Sequence, residues 1–264
     1  MPEGPEVKIA STYYNRFFEG SKSLCFNLLT EYYEKKYADV FDTVNKHHSK
    51  DFQATFTIGK NIFLPLTNGL FFNFHLGMTG GWNLDNIKHC HFRVSASDRE
   101  LFFRDVRKFG KMRVLSLEEL QNKHFKTFDL LNDDYDLDKH LNYLKEKVSA
   151  TKSICSTLMD QRFFPGVGNY IKSEALYAAK IHPEKKWGKL SSKRRKELVF
   201  ATQDIMQRSY ISGGAELKDF KNPFHVSEFE LKVYGKKEDE NGNEIISTTT
   251  SDQRKSWYCP NVQK

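Results

Sequence analysis

At 264 residues, 39% of them hydrophobic and 22 of them phenylalanine, the chain has room for one large or two ordinary domains around an aromatic-rich core. A net charge of +7 and a pI near 9.0 lean toward a polyanionic partner such as nucleic acid. The four cysteines (Cys25, Cys90, Cys155 and Cys259) are dispersed and form no C-x-x-C pair, which argues against a disulfide framework or a zinc site; with no signal peptide and no apolar run of membrane-spanning length, a soluble intracellular protein is expected.

In chain order, Val7, Ala10, Tyr14, Phe17 and Phe18 fall on one helical face, with Pro5 and Glu6 suited to the first turn and Gly20 to the stop. Strand patterns follow at Leu24–Thr30, Phe52–Ile58, Ile62–Leu66, Leu70–His75, His91–Ser95, Glu100–Arg104 and Lys111–Leu115, separated by turn signals such as Gly59-Lys60-Asn61, Thr67-Asn68-Gly69 and Ser97-Asp98. That spacing predicts a β-sandwich or barrel. The charged, aromatic stretch Glu31–Ser49 carries no clear assignment. Helices are predicted at Leu117–Phe125, Asp138–Val148, Lys152–Met159, Asn169–Ala179 and Ser191–Ser212, the last ended by Gly213-Gly214. Asn132-Asp133-Asp134 reads as a linker, and Asn241-Gly242-Asn243 as the turn of a final hairpin. The expected architecture is α+β and multi-domain, divided at 1–127, 128–230 and 231–264.

Five segments could carry chemistry. The terminus sets Pro2 beside Glu3 and Glu6; once Met1 is removed, the secondary amine of Pro2 is a candidate nucleophile with a carboxylate at hand, while the competing reading is a capped helix. Pro165-Gly166-Val167-Gly168-Asn169 precedes a helix, with Asn169 a good N-cap and the helix start a ready phosphate site, or else an ordinary helix–loop–helix. His75-Leu76-Gly77-Met78-Thr79-Gly80 and Arg104-Asp105-Val106-Arg107-Lys108-Phe109-Gly110 are turns whose Met78 and Phe109 either wedge into a base stack or tuck into the core. Lys60 at a hairpin tip is a phosphate contact or a solvated turn lysine. Arg254, in the basic turn before Trp257 and Tyr258, could clamp a phosphate or sit on an inert surface hairpin.

Together these motifs, with Val233-Tyr234-Gly235, resemble the formamidopyrimidine-DNA glycosylase / endonuclease VIII family across nearly the whole chain. The resemblance implies a β-sandwich domain fronted by a helix, a helix-two-turns-helix domain and DNA in a cleft between domains. It implies a bifunctional DNA glycosylase/AP lyase of base excision repair, with Pro2 as nucleophile, Glu3 as acid/base and Glu6 as support. Lys60, Asn169 and Arg254 match positions that hold phosphates; Met78, Arg107 and Phe109 match the trio that fills the gap left by a flipped base; His75 falls within the same DNA-binding set. It implies no metal or organic cofactor, a monomer, and damaged DNA, duplex or single-stranded, as partner. The family's terminal zinc finger lacks its first C-x-x-C pair here, and in the second Cys259 faces Val262, so the tail resembles the zincless finger of some endonuclease VIII-like enzymes, held by packing through Trp257, Tyr258 and Ile246. The segment between Gly214 and Leu231 is shorter than in bacterial formamidopyrimidine glycosylases, which points to oxidised pyrimidines and hydantoins ahead of 8-oxoguanine. The rival expectation is a non-catalytic damaged-DNA-binding protein of the same fold.

Overall fold

The computed structural model describes every residue except 97, 98, 125 and 217–225, and of residue 126 the backbone only. The turn expected at Ser97-Asp98, the predicted helix end at Phe125 and much of the short segment after Gly214 lie outside the described residues. The chain divides into two compact units. One contains Met1–Pro2, Glu6–His124 and Glu216–Val226; the other contains Glu3–Pro5, Phe125–Ala215 and Ser227–Lys264.

α1 (Gly4–Phe18), which belongs to the first unit from Glu6 onward, buries Val7, Ala10, Tyr14 and Phe18, the expected three- and four-residue spacing. Gly20 follows with φ +76, a left-handed position where glycine costs nothing. After β1 (Cys25–Leu28), the unassigned stretch forms α2 (Glu31–His47), which buries Tyr33, Tyr37, Phe41 and Val44; its glutamates lie at the N-terminal end and Lys46 and His47 at the other, as the helix dipole favours. The strands β2 (Phe56–Ile58), β3 (Asn61–Pro65), β4 (Leu70–His75), β5 (Gly80–Asn83), β6 (Cys90–Ala96), β7 (Arg99–Asp105) and β8 (Lys111–Ser116) follow, and α3 (Leu117–Lys123) ends the run with a Ser116–Glu119 capping box.

The strands form two four-stranded antiparallel sheets, β1-β6-β7-β5 and β2-β3-β4-β8. Side chains of both, including Phe92, Phe103, Trp82, Ile62, Phe72 and Phe74, share one core with the buried faces of α1 and α2, so the predicted β-sandwich is what forms. Only the end of the strand expected over Phe52–Ile58 is a strand. Before it, the Asn15 side chain of α1 takes both backbone groups of Thr55, accepting from its N–H at 2.7 Å and donating to its carbonyl at 2.8 Å, and so replaces a ladder partner.

The second unit is built from α4 (Leu137–Lys147), α5 (Ile154–Met159), α6 (Asn169–Ala178), α7 (Ser192–Ile211) and the hairpin β9 (Ile246–Thr249) with β10 (Lys255–Tyr258). The expected linker at Asn132-Asp133-Asp134 is instead a compact turn of this unit. Asp129 and Asn132 side chains accept from the N–H groups of Leu131 and Asp134, and Leu130 and Leu131 are buried. The turn at Asn241-Gly242 closes only a single bridge, Glu238 to Glu244, because the Asp239 carboxylate gathers the N–H groups of Asn241 and Asn243; the true hairpin turns at residues 250–254. Ile245, more than Ile246, reaches the small core formed with Tyr177, Val233 and Cys259, and Trp257 packs against that core with its ring centre 4.4 Å from that of Tyr234, the planes tilted by 55°. Among the described residues no helix is long and apolar enough to cross a membrane.

Candidate active site and nucleic-acid interface

The terminal Glu3 is buried, and its anchor lies 167 positions away. Its carboxylate accepts from the backbone N–H of Tyr170 at 2.9 Å and of Ile171 at 3.3 Å, in the first turn of α6. These are the donors a helix start leaves open, at the positive end of the dipole. Gly168 precedes the helix, and a Cβ there would lie 2.2 Å from the Glu3 carboxyl carbon, so any larger residue would push the Glu3 carboxylate from its place. The backbone tightens the same contact: Gly4 N–H donates to the Gly166 carbonyl at 2.8 Å. Gln161 braces the loop by bonding Val167 O and Gly166 N, and His140 on α4 bonds Phe163 O at 2.6 Å. A carbonyl only accepts, so the His140 proton is on Nε2; burial pushes its pKa down to about 4 and keeps the ring neutral.

This corrects the reading of Asn169. It is the first helical residue and not the cap, which is Gly168 without a side-chain bond. The helix-start donors assigned to phosphate are taken by Glu3. Asn169 points instead to the hairpin, donating through Nδ2 to the Lys255 carbonyl at 2.9 Å, and its buried Oδ1 has no hydrogen bond among the described residues. The hairpin tip beside it is fixed from below. Lys172 of α6 and Asp252 form a 2.6 Å ion pair with side chains 0% and 3% exposed, and Asp252 also accepts from Thr250 Oγ1 and Arg254 N–H. Glu184 accepts from Ser251 N–H and Oγ. Arg254 therefore projects, exposed, from a turn that is itself rigidly held. Sequence reasoning missed Lys172 and Asp252, since neither pairs with a neighbour in sequence. Lys172→Met should leave the Asp252 charge buried without its cation and lower stability by about 3–5 kcal/mol, read from the urea unfolding midpoint.

In the first unit, Pro2 is buried and Glu6 is fully buried within the first turn of α1. Lys60, expected at a hairpin tip, is only 9% exposed, so it is not the solvated turn lysine. It lies close enough to His75, in the paired strand, that burial together with the charges of Lys60, Lys111 and Arg113 pushes the His75 pKa down to about 4. Gly77 N–H donates to His75 Nδ1 at 2.9 Å, which leaves the neutral ring's proton on Nε2.

Met78 is half-buried, whereas Arg107 and the 51%-exposed Phe109 stand out from their turn, the guanidinium 5.3 Å from the Phe109 ring centre. For Phe109 the tucked-in alternative is thus wrong. The two loops touch backbone to backbone: a Cβ on Gly77, at φ +67, would meet the Phe109 carbonyl carbon at 2.5 Å. Glycine is required there by both conformation and space.

Two family models match the chain in order, the formamidopyrimidine-DNA glycosylase N-terminal domain over residues 1–112 and the formamidopyrimidine-DNA glycosylase H2TH domain over residues 127–221. A formamidopyrimidine-DNA glycosylase of Rickettsia bellii is 33% identical over 224 residues, spanning 78% of this chain and 79% of its own. A mutant Lactococcus lactis FPG in complex with Fapy-dG-containing DNA is similar over the full length of both chains, with 25% identity and a TM-score of 0.83. The wild-type Lactococcus lactis protein in complex with DNA containing an oxidised pyrimidine is 26% identical, again over both whole chains, with a TM-score of 0.81. The terminal carboxylate seated on α6, the paired loops of the sandwich and these matches lead to one conclusion: the chain belongs to the formamidopyrimidine-DNA glycosylase family, the DNA glycosylases of damaged-base excision repair.

Proposed function

We propose that the chain is a bifunctional DNA glycosylase and AP lyase that works through a Schiff base on Pro2. The observation that carries this reading is the Glu3 carboxylate, buried and held by two backbone N–H groups immediately after Pro2. Removal of Met1 turns the Pro2 nitrogen from an amide into a secondary amine. Burial disfavours the protonated form of an amine, which leaves a lone pair for attack near neutral pH.

The damaged nucleotide leaves the stack at a cost of a few kcal/mol, least for a weakly paired lesion. Met78, Arg107 and Phe109 fill the gap, while Lys60, His75, Asn169 and Arg254 contact the strand. The Pro2 nitrogen bonds to the anomeric carbon and the base departs with the glycosidic electron pair. Glu3, a carboxylate at the outset, takes the proton that the Pro2 nitrogen sheds on bonding and passes it to the sugar ring oxygen as the ring opens to the iminium. The iminium acidifies the adjacent carbon; loss of that proton expels the 3′ phosphate, and a second elimination expels the 5′ phosphate. Glu6, buried in the first turn, supports the helix that carries the nucleophile.

No metal or organic cofactor enters these steps, and the C-terminal hairpin does without zinc. The Lys172–Asp252 pair and the Ile245, Trp257 and Cys259 packing support that part of the reading. The division into 1–127, 128–230 and 231–264 and a monomeric state belong to the same proposal. Oxidised pyrimidines and hydantoins are the favoured lesions, ahead of 8-oxoguanine, on the short stretch between Gly214 and Leu231. Single-turnover excision on matched oligonucleotides, double- and single-stranded, should rank them in that order; fastest release of 8-oxoguanine would refute the preference.

A further inference from the structure

The Met78 and Phe109 loops are joined through one fully buried carboxylate, Asp105. Its Oδ1 accepts from Thr79 Oγ1 at 2.6 Å, and its Oδ2 accepts from Gly110 N–H at 2.7 Å and from the Tyr33 hydroxyl at 3.2 Å. Thr79 Oγ1 in turn accepts from Arg107 N–H at 2.9 Å. Thr79 thus ties the Met78 loop to both Asp105 and Arg107, and Asp105 closes its own loop onto Gly110.

The third donor comes from α2, outside both loops. Tyr37, one turn further along, donates to the Gly110 carbonyl at 2.9 Å, so α2 holds that residue's acceptor directly and reaches its N–H only through Asp105, which Tyr33 bonds. Tyr33 is itself fixed: its ring stacks on His91 at 4.3 Å with planes 5° apart. His91 Nε2 lies 3.0 Å from the Asp105 carbonyl, which can only accept, so Nδ1 is left to accept from Thr30 Oγ1 at 3.0 Å. Burial lowers the His91 pKa and holds it in that neutral tautomer. Burial and the facing Asp105 raise the Tyr33 pKa, so its hydroxyl stays a donor. On the outer face, the Lys108 ammonium sits 4.5 Å from the Tyr32 ring centre, a further link from loop to helix.

We propose that Tyr33 and Tyr37 are positioning residues, through which α2 and Asp105 hold the Met78 loop and the Arg107–Phe109 loop as one preformed wedge. The inference rests on the reading of these loops as gap fillers. A preformed wedge enters the base stack without ordering cost at the moment of binding. It matters where a gap must be filled between stacked base pairs, and not on an isolated strand.

The test compares affinity for a duplex bearing a stable abasic analogue with affinity for the same strand unpaired. Tyr33→Phe removes one hydrogen bond to a charged acceptor without changing shape. It should weaken duplex binding about tenfold, the scale of such a bond, and leave single-strand binding unchanged. Tyr37→Phe, at the Gly110 carbonyl, should act in the same direction. An unchanged duplex-to-single-strand ratio would overturn the proposal, whether both affinities fall together or neither moves. The readout needs no turnover, so it is separable from failure of the Pro2 chemistry, which trapping of the covalent adduct tests.

Discussion

A chain that retains Met1, or carries any extension before Pro2, should show no base excision and no strand cleavage on lesion-bearing duplexes. The loss follows from bonding and needs no rearrangement. With Met1 in place the Pro2 nitrogen is a tertiary amide whose lone pair is delocalised into a carbonyl, and it is no nucleophile. The new terminal amine is displaced by about 3.8 Å, one residue along the chain, which puts it out of register with Glu3. Positioning of reacting groups contributes on the order of 7–11 kcal/mol in favourable cases, so a shift of this size removes most of the rate. Binding to a stable abasic analogue should be affected far less, because the residues assigned to phosphates and to the gap lie elsewhere. The comparison of cleavage with binding separates loss of the nucleophile from loss of the fold.

The second large effect concerns Glu3. Replacement by Gln keeps the shape but offers one acceptor oxygen where the carboxylate supplies two, one to Tyr170 N–H and one to Ile171 N–H. It also removes the group that moves the proton. Excision of an intact damaged base should fall by roughly 10²- to 10⁴-fold, the usual contribution of a positioned acid/base. Cleavage at a pre-made abasic site, where the sugar is already open to attack, should fall much less. Equal losses on the two substrates would remove Glu3 from base release and leave it as an anchor of α6.

How far the sequence discloses this arrangement varies from element to element. α1 and the sandwich strands are legible because their apolar positions repeat at helical or alternating spacing, as at Val7, Ala10 and Tyr14. α2 has the same spacing in Tyr33, Tyr37, Phe41 and Val44, but its aromatic content favours strands and its Thr30 makes no side-chain cap, so the pattern stays ambiguous. β5 is hidden by its glycines. Gly80 reads as loop, yet it is chosen because its neighbours leave no room for a Cβ, the Leu76 carbonyl oxygen lying 2.1 Å from where one would be.

The candidate residues at the terminus and in the loops are visible as motifs. What positions them is not. The donors to Glu3, the Lys172–Asp252 pair and the α2 tyrosines on Asp105 and Gly110 all join residues far apart in sequence. Asn169 shows the same limit in reverse: local preference makes it a cap, while the distant Glu3 supplies the carboxylate that serves the helix start.

The central claim is that Pro2 forms the covalent intermediate. The most direct test is borohydride reduction during turnover of a lesion-bearing duplex, followed by proteolysis and mass-spectrometric mapping of the cross-linked peptide. One adduct should form, on the nitrogen of Pro2 in the chain freed of Met1, and none in the chain that keeps it. An adduct on a lysine such as Lys60, or one that persists when Met1 is retained, would contradict the claim.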